Sequence, residues 1–245
     1  MTNITNNFIH KDAIVGSNTI IDPFSFIENN VVIGDNCWIG NNVRVCSGAR
    51  IGNNVKIFPG AVISSIPQDL KFEGENSETF IGDNTIIREY VTVSKGTKDK
   101  MKTSIGKECL LMAYTHVAHD CIIGDNCILA NAVQLAGHVH IDTFAIVGGG
   151  SLVHQFVKIG SHSMISGGSL VRKDVPPFCK AGKEPLSFRG INSIGLKRRN
   201  FSNKKINQIQ NIFRILYLEG RNNSQAVEKI KKDILESEER SEEHT

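Results

Sequence analysis

Large aromatic side chains are scarce in this sequence. Phe, Trp and Tyr make up 7% of its 245 residues, and Trp38 is the single tryptophan. Cores built from ordinary packed layers draw much of their buried area from such rings. Gly, Val, Ile, Ala, Ser and Asn are frequent instead. This composition predicts many short strands joined by tight turns.

Other scarcities narrow the class of protein further. The formal net charge of +3 is too small to indicate a nucleic-acid-binding surface. A run of about eighteen apolar residues, which a membrane-spanning helix needs, is missing from the sequence. Residues 1–10 are polar and lack the apolar core of a secretion signal. We therefore expect a cytoplasmic protein without stable membrane insertion, whose six cysteines are reduced thiols.

Aliphatic residues recur at every sixth position from Ile9 to Val171. Of these 28 positions, 25 hold Ile, Leu or Val, and the exceptions are Asp69, Glu75 and Asp99. A period of six matches neither an α-helix nor a simple alternating strand. It predicts short strands separated by corners, with three strands closing a triangular coil of 18 residues. Coils of this kind stack at the spacing of paired strands, about 4.8 Å.

The residue four places after each aliphatic one is small. Four cysteines occupy this position, and we interpret them as packing residues rather than as ligands or nucleophiles: Cys37, Cys109, Cys121 and Cys127.

Departures from the repeat predict the domain organisation. Residues 64–80 and 95–103 are polar, and the repeat resumes in phase after each, so we expect two external loops on a parallel β-helix over residues 1–178. Residues 179–245 are predicted to form a linker and a small α-helical domain of two helices. Ser202 is the predicted N-cap of the first helix, and Ile234 and Leu235 are the last residues of the apolar face of the second. Residues 240–245 (RSEEHT) correspond to one reading frame of a common sequencing adapter and are expected to be non-native.

The 18-residue coil predicts which distant polar residues stack above one another on one wall. His119, Gly137 and Gln155 are spaced by 18, and Asp120 precedes His138 by the same interval. Such a strip, together with His154, suits acyl transfer, because an imidazole can deprotonate a hydroxyl near neutral pH. The backbone N–H of Gly137 could donate to an oxyanion. The alternative interpretation of each histidine is a solvated wall residue.

Two further functions remain open at this point. His116, His119 and His138 could hold zinc, as in carbonic anhydrases built on hexapeptide repeats. A structural β-helix without activity would not need the stacked histidines.

Several segments resemble the UDP-N-acetylglucosamine O-acyltransferase family, in matching order across nearly the whole chain. They are residues 115–156 (THVAHDCIIGDNCILANAVQLAGHVHIDTFAIVGGGSLVHQF), Pro67-Gln68-Asp69-Leu70-Lys71, Asp174-Val175-Pro176-Pro177 and Gly195-Leu196-Lys197-Arg198-Arg199. The resemblance implies a left-handed β-helix and a homotrimer with sites in the clefts between β-helices. It also implies transfer of an (R)-3-hydroxyacyl chain from acyl carrier protein to the 3-hydroxyl of UDP-N-acetylglucosamine, the first step of lipid A biosynthesis, without a metal or cofactor.

The resemblance also implies roles for individual residues. It makes His119 the general base, Asp120 its orienting partner and Gly137 the oxyanion donor. The remaining implied roles are as follows: Gln68, Asp69 and Lys71 in the nucleotide-sugar loop; His116, His138, His154 and Gln155 lining the sugar and acyl pocket; Asn192, Arg198 and Arg199 binding the nucleotide from a neighbouring subunit; and Lys197, Lys204 and Lys205 guiding the acidic acyl carrier protein.

Two departures from the family pattern bear on a contact to the donor and on the acyl-chain length, which stays open. Ser94-Lys95 stands where the family often has His-Arg, and Lys183-Glu184-Pro185 replaces a segment that commonly carries a histidine. With Gly167 at a position that could measure the chain, we expect a long groove. Two other acyltransferases also remain as alternatives: the N-acyltransferase of a later step, and a sugar-nucleotide acetyltransferase that uses acetyl-CoA.

Overall fold

The computed structural model describes residues 6–233. The predictions for Ile234 and Leu235 and for the tail at 240–245 lie outside the described residues. Among the described residues, no helix is both long enough and apolar enough to cross a membrane.

The strands are short and follow one another at nearly regular intervals. In chain order, the described residues contain β1 (Phe8–Ile9), β2 (Ile14–Val15), β3 (Ile20–Ile21), β4 (Phe26–Ile27), β5 (Val32–Ile33), β6 (Trp38–Ile39), β7 (Arg44–Val45), β8 (Ala49–Ile51), β9 (Lys56–Ile57), β10 (Val62–Ser65), β11 (Glu78–Ile81), β12 (Ile86–Ile87), β13 (Thr92–Ser94), β14 (Lys102–Ile105), β15 (Leu110–Leu111), β16 (His116–Val117), β17 (Ile122–Ile123), β18 (Ile128–Leu129), β19 (Gln134–Leu135), β20 (His140–Ile141), β21 (Ile146–Val147), β22 (Leu152–Val153), β23 (Lys158–Ile159), β24 (Met164–Ile165), β25 (Leu170–Val171), β26 (Cys179–Gly182) and β27 (Ser187–Ile191). The helices are α1 (Ser193–Arg198), α2 (Asn203–Tyr217) and α3 (Asn223–Asp233).

Every third strand belongs to the same parallel sheet, so the chain winds around three walls. Sheet 1 runs from β1 to β25, sheet 2 from β2 to β23, and sheet 3 from β3 to β26, with β27 added antiparallel. In sheet 1, His116 pairs with Gln134 and Gln134 with Leu152, so one circuit takes 18 residues. The predicted left-handed parallel β-helix is confirmed. We call the bend between sheets 1 and 2 the first corner, that between sheets 2 and 3 the second, and that between sheets 3 and 1 the third.

The repeat forms this prism because each residue type suits one place in the coil. From Ile27 onward, the sixth-position aliphatic residues, such as Ile57 and Leu129, point inward and are buried, whereas Ile9 in the first coil is exposed. The four small-position cysteines are buried free thiols, which confirms their packing role. Corner positions adopt a left-handed backbone, as at Asn36 with φ of 56°, and asparagine tolerates this conformation better than most residues.

Both insertions leave the β-helix at the first corner, from successive coils. Residues 66–77 (loop 1) connect β10 to β11, and residues 95–101 (loop 2) connect β13 to β14. These bounds are narrower than the predicted 64–80 and 95–103, because pairing between β11 and β14 extends both strands. Glu78 of β11 lies opposite Lys102 of β14, and Thr79 lies opposite Thr103. The loops contact each other, since the Ser77 hydroxyl donates to the Gly96 carbonyl and the Lys98 N–H donates to Glu75 Oε1 at 3.3 Å.

The segment predicted as a plain linker contains regular structure. Strand β26 continues sheet 3 by pairing Ala181 with Ile165, and β27 folds back on it. Helix α2 begins at the predicted cap, where Ser202 Oγ accepts a hydrogen bond from the Lys205 N–H at 3.2 Å. Stacking of Phe213 on Phe188, with ring centroids 5.1 Å apart, packs α2 against β27.

Candidate active site

His119, Gly137 and Gln155 lie at the first corner in three successive coils. The His138 N–H donates to the His119 carbonyl at 3.0 Å, and the Phe156 N–H donates to the Gly137 carbonyl at 3.2 Å. The predicted vertical strip is therefore present, but at a corner and not on a wall, and it lies directly above the coils that carry loops 1 and 2.

The imidazole of His119 is held at one nitrogen and exposes the other to loop 1. Its Nδ1 lies 2.8 Å from Asp120 Oδ2, and its Nε2 lies 3.8 Å from Asp69 Oδ2. A carboxylate can only accept, so Nδ1 donates the hydrogen bond and the lone pair of the neutral ring is on Nε2. The side chain is 14% exposed. This arrangement can take a proton from a hydroxyl group that reaches Nε2.

Asp120 is the most enclosed charged group at this corner. Its side chain is 0% exposed, and loop 2 supplies three donors to it. The N–H groups of Thr97 and Lys100 donate to Oδ1 at 3.0 and 3.3 Å, and the Thr97 hydroxyl donates to Oδ2 at 2.6 Å. Burial by itself raises the pKa of Asp120, but the hydrogen bonds from Thr97 and His119 outweigh it and hold the pKa below its ordinary value. Asp120 is thus a stable anion.

Gly137 provides the space in which the imidazole lies. A Cβ atom added at Gly137 would be 2.6 Å from His119 Cε1 and 2.7 Å from Nε2, well inside contact distance. Within residues 6–233, the Gly137 N–H has no hydrogen-bond acceptor. It can therefore donate to a negatively charged oxygen beside the imidazole.

Loop 1 brings one predicted residue to the imidazole and leaves two in solvent. Asp69 Oδ1 accepts the Lys71 N–H at 3.0 Å, which fixes the turn and aims Oδ2 at His119. Gln68 and Lys71 are exposed on either side of Asp69.

The predicted pocket histidines surround His119 at different distances. His138 lies edge-on to the His119 ring, with centroids 5.1 Å apart, and stacks on Phe156 at 4.6 Å. His116 Nδ1 is 2.7 Å from Thr92 Oγ1; burial, and then the neighbouring His119, lower the pKa of His116. His154 and Gln155 are exposed one coil above Gly137.

The structure does not bring the predicted nucleotide-binding residues to this corner of the same chain. Asn192 Nδ2 donates to the His162 carbonyl at 2.9 Å, and Arg199 Nη2 donates to the Phe144 carbonyl at 3.0 Å. His162 and Phe144 belong to the second corner. Arg198 is exposed beside them.

Sequence reasoning missed Thr97, Asp99 and Lys100. Asp99 Oδ2 lies 3.2 Å from His138 Nδ1, and Thr97 and Lys100 hold Asp120. Asp99 was visible only as a break in the repeat. Nothing in the spacing pointed to the other two, because the path of an inserted loop is not set by the coil.

One trio at the corner is close enough to chelate a cation. Ligand atoms of His119, Asp120 and His138 lie within 4.8 Å of one another. Both Asp120 oxygens are already used by four hydrogen bonds, however, and His116 of the predicted zinc set is bonded to Thr92 instead. The geometry fits a base held by a carboxylate better than a metal site.

A β-helix of hexapeptide coils with a histidine–aspartate pair at an inserted corner defines a hexapeptide-repeat transferase. The chain belongs to the UDP-N-acetylglucosamine O-acyltransferase family, which confirms the resemblance found in the sequence. The family model described as UDP-N-acetylglucosamine O-acyltransferase, domain 2, matches residues 174–244, and the bacterial transferase hexapeptide model matches residues 30–65 and 102–137.

Solved and curated relatives agree. The UDP-N-acetylglucosamine acyltransferase of Bacteroides fragilis is 48% identical with a TM-score of 0.95, covering 97% of this chain and 93% of that one. The UDP-N-acetylglucosamine acyltransferase of Francisella novicida is 40% identical with a TM-score of 0.90, covering 93% of this chain and 84% of that one. The acyl-[acyl-carrier-protein]–UDP-N-acetylglucosamine O-acyltransferase of Aliarcobacter butzleri is 46% identical over 65% of this chain and 62% of its own length. The chain spans about three fifths of the length of the first curated relatives it matches.

Proposed function

We propose that this protein transfers an (R)-3-hydroxyacyl chain from acyl carrier protein to the 3-hydroxyl of UDP-N-acetylglucosamine. The observation that carries the proposal is the His119–Asp120 pair, whose free Nε2 faces Asp69 at the inserted corner. Family membership supports the choice of both substrates.

The reaction needs one base and one oxyanion donor. His119 Nε2 removes the proton of the sugar 3-hydroxyl while the hydroxyl oxygen attacks the thioester carbonyl carbon. The Gly137 N–H donates to the oxygen that becomes negative. The carbon–sulfur bond then breaks, and the departing sulfur takes the proton from Nε2. An ester and the free thiol of acyl carrier protein result, and His119 returns to its starting state.

A cyclic trimer would complete the site. The first corner carries His119, and the second corner carries Asn192, Arg198 and Arg199; both corners flank sheet 2. If three chains turn sheet 2 toward a common axis, the first corner of one chain meets the second corner of the next. Exposed Arg198 then reaches across to the diphosphate, for which a guanidinium is well suited.

Surface chemistry supports the remaining partners and the compartment. Lys197 of α1 and Lys204 and Lys205 of α2 are exposed and suit an acidic carrier protein. Sheet 3 does not border the first corner of its own chain, but in such a trimer sheet 3 of the neighbouring copy would lie beside it. Its outer face carries a row of apolar side chains suited to the acyl chain: Leu110, Ile128, Ile146 and Met164. The six cysteines form no disulfide within residues 6–233, which suits the reducing cytoplasm, where this step would begin lipid A synthesis.

The test is transfer from acyl carrier proteins loaded with 3-hydroxyacyl chains of several lengths. The wild type should acylate UDP-N-acetylglucosamine in the presence of a chelator, and His119→Ala should reduce kcat by about three orders of magnitude. His10→Ala, at the first corner of the first coil, is the matched control and should behave as wild type. Transfer only from acetyl-CoA, only to a 3-amino acceptor, or zinc-dependent hydration of CO2 would each contradict the proposal.

A further inference from the structure

Loop 2 closes around the carboxylate of Asp120 through one residue that holds both oxygens. Thr97 donates its N–H to Oδ1 at 3.0 Å and its hydroxyl to Oδ2 at 2.6 Å, and Thr97 is only 7% exposed. Oδ2 is the oxygen that also accepts from His119 Nδ1 at 2.8 Å. One side chain therefore determines how the carboxylate is presented to the imidazole.

The rest of loop 2 fixes Thr97 in place. The Met101 N–H donates to the Thr97 carbonyl at 2.7 Å, which closes a tight turn. A Cβ atom at Gly96 would collide with the Lys102 backbone nitrogen, so the turn requires glycine there. The Ser77 hydroxyl donates to the Gly96 carbonyl and ties this turn to loop 1. The turn that carries Thr97 is thus attached to loop 1, which carries Asp69.

We propose that Thr97 is a positioning residue for the acyl transfer: its hydroxyl and N–H orient the Asp120 carboxylate so that His119 keeps its proton on Nδ1 and its lone pair on Nε2. This inference rests on the proposed function of the corner. Thr97 acts through Asp120 and His119, and it touches neither substrate in the mechanism given above.

The chemical consequence concerns where the proton lies. Without the Thr97 hydroxyl, Oδ2 keeps only the donor from His119, in a site from which solvent is excluded. Asp120 then takes up a proton more readily, since the Thr97 side chain contributes the largest of the effects that lower its pKa. A protonated carboxyl can donate to Nδ1, which moves the ring proton to Nε2 and removes the base.

Other charged groups around Asp120 set the direction of this effect. His119 and His138 face its Oδ2, the latter from 3.9 Å, and Lys100 Nζ lies 3.4 Å from its carbonyl oxygen. Asp69 and Asp99 stand behind the two histidines. All three nearest groups favour the carboxylate, so loss of one hydroxyl should shift its protonation without making the acid form dominant at neutral pH.

The experiment compares Thr97→Val, Thr97→Ala and Thr97→Ser in the whole 245-residue chain, with kcat, both KM values and the pH profile of kcat/KM measured for each. Thr97→Val and Thr97→Ala should lose about tenfold in kcat, with both KM values changed by less than about twofold. In both variants, the acid limb of the pH profile of kcat/KM should move to higher pH, because the reaction requires the anionic form of Asp120. Thr97→Ser keeps the hydroxyl and should restore both readouts.

Thr85→Val is the matched control. Thr85 is also buried, and its hydroxyl donates to the Gly106 carbonyl at 2.8 Å and accepts from the Cys109 N–H at 3.1 Å at the second corner, so it is bonded to backbone and not to a carboxylate. The inference is overturned if Thr97→Val or Thr97→Ala keeps the wild-type kcat and acid limb, or if Thr97→Ser or Thr85→Val fails as they do. If Thr97→Val does not fold, the comparison of Thr97→Ala with Thr97→Ser is sufficient to test the inference. An inactive wild type would instead refute the proposed function.

Discussion

Replacing Gly137 with alanine tests whether the position of the imidazole governs the chemistry. The backbone of Gly137 is not in the left-handed region, so alanine can adopt it without strain. The new methyl group would be 2.6 Å from His119 Cε1, 2.7 Å from Nε2 and 3.3 Å from Nδ1. The conflict is therefore with one side chain, and the coil itself needs no change.

The size of the effect follows from these distances. Moving Cε1 from 2.6 Å to an ordinary contact of 3.4 Å displaces the ring by about 0.8 Å. The Nδ1–Oδ2 distance of 2.8 Å would then approach the limit of a hydrogen bond, and Nε2 would leave its place beside the Gly137 N–H. Misplacement by about 1 Å costs on the order of 100-fold in rate, so we expect Gly137→Ala to lose about 100-fold in kcat.

Steady-state acyl transfer and thermal unfolding, measured on the same preparation, give the answer. The melting temperature of Gly137→Ala should stay within a few degrees of wild type, because only a partly exposed ring has to move. Gly149→Ala at the third corner is the control, since its Cβ would lie 3.1 Å from the Asn131 carbonyl oxygen, 3.7 Å from the Asn131 nitrogen and 3.8 Å from Ala130 Cβ, none of them a clash. A Gly137→Ala enzyme with wild-type kcat would show that the ring position in this structure is not the reactive one.

Three other changes test separate parts of the molecule. Asp69→Asn removes the charge that faces His119 Nε2 and should lower kcat/KM for UDP-N-acetylglucosamine by about tenfold, whereas the control Glu73→Gln, at an exposed position of the same loop, should not. An unchanged kcat/KM in Asp69→Asn would exclude a role for the Asp69 charge. Burial, and then Arg199, lower the pKa of His162 to about 4 from 6.5. The unfolded chain therefore binds a proton between these values that the folded chain does not, and stability falls as pH falls through this window. Allowing for the partial exposure of His162, the free energy of unfolding in urea should be lower at pH 4.5 than at pH 7 by about 1–3 kcal/mol more in the wild type than in His162→Phe. Equal pH dependence in the two proteins would refute the lowered pKa of His162. Leu129→Ala should lower the free energy of unfolding by about 2–5 kcal/mol, whereas exposed Leu218→Ala should have almost no effect; equal losses would contradict the inward packing of Leu129.

The coil was predictable because its signal is local and repeated. Each sixth residue marks a position that faces the interior, and the constant period determines which residues of successive coils lie above one another. The stacking of His119, Gly137 and Gln155 therefore followed from spacing alone. Loop ends were not predictable in the same way. The polar residues of β11 and β14 become strands because Thr79 pairs with Thr103, a contact that neither segment encodes by itself. The β26–β27 hairpin likewise depends on the exposed edge of sheet 3 that it covers.

The candidate site divides along the same line. His119 and Asp120 come from the repeat, whereas Asp69, Thr97 and Asp99 reach them through inserted chain, whose path depends on contacts between the two loops. The roles of Asn192 and Arg199 come from the resemblance alone, which already assigned them to the site of a neighbouring subunit. Their side chains bond to His162 and Phe144 of their own chain at another corner, so their proposed role requires a neighbouring copy.

The position of the site follows from where a β-helix can accept extra residues. Lengthening a strand would break its register with the coils above and below, so insertions belong at corners. Two insertions at the same corner in successive coils can contact each other and cover the next coil, which carries His119. Asp69 of loop 1 then faces one nitrogen of the imidazole, while Thr97 of loop 2 holds the carboxylate that bonds to the other. The buried walls supply stability independently of these polar contacts, and therefore changes in either loop can alter the chemistry of His119 while the prism remains folded.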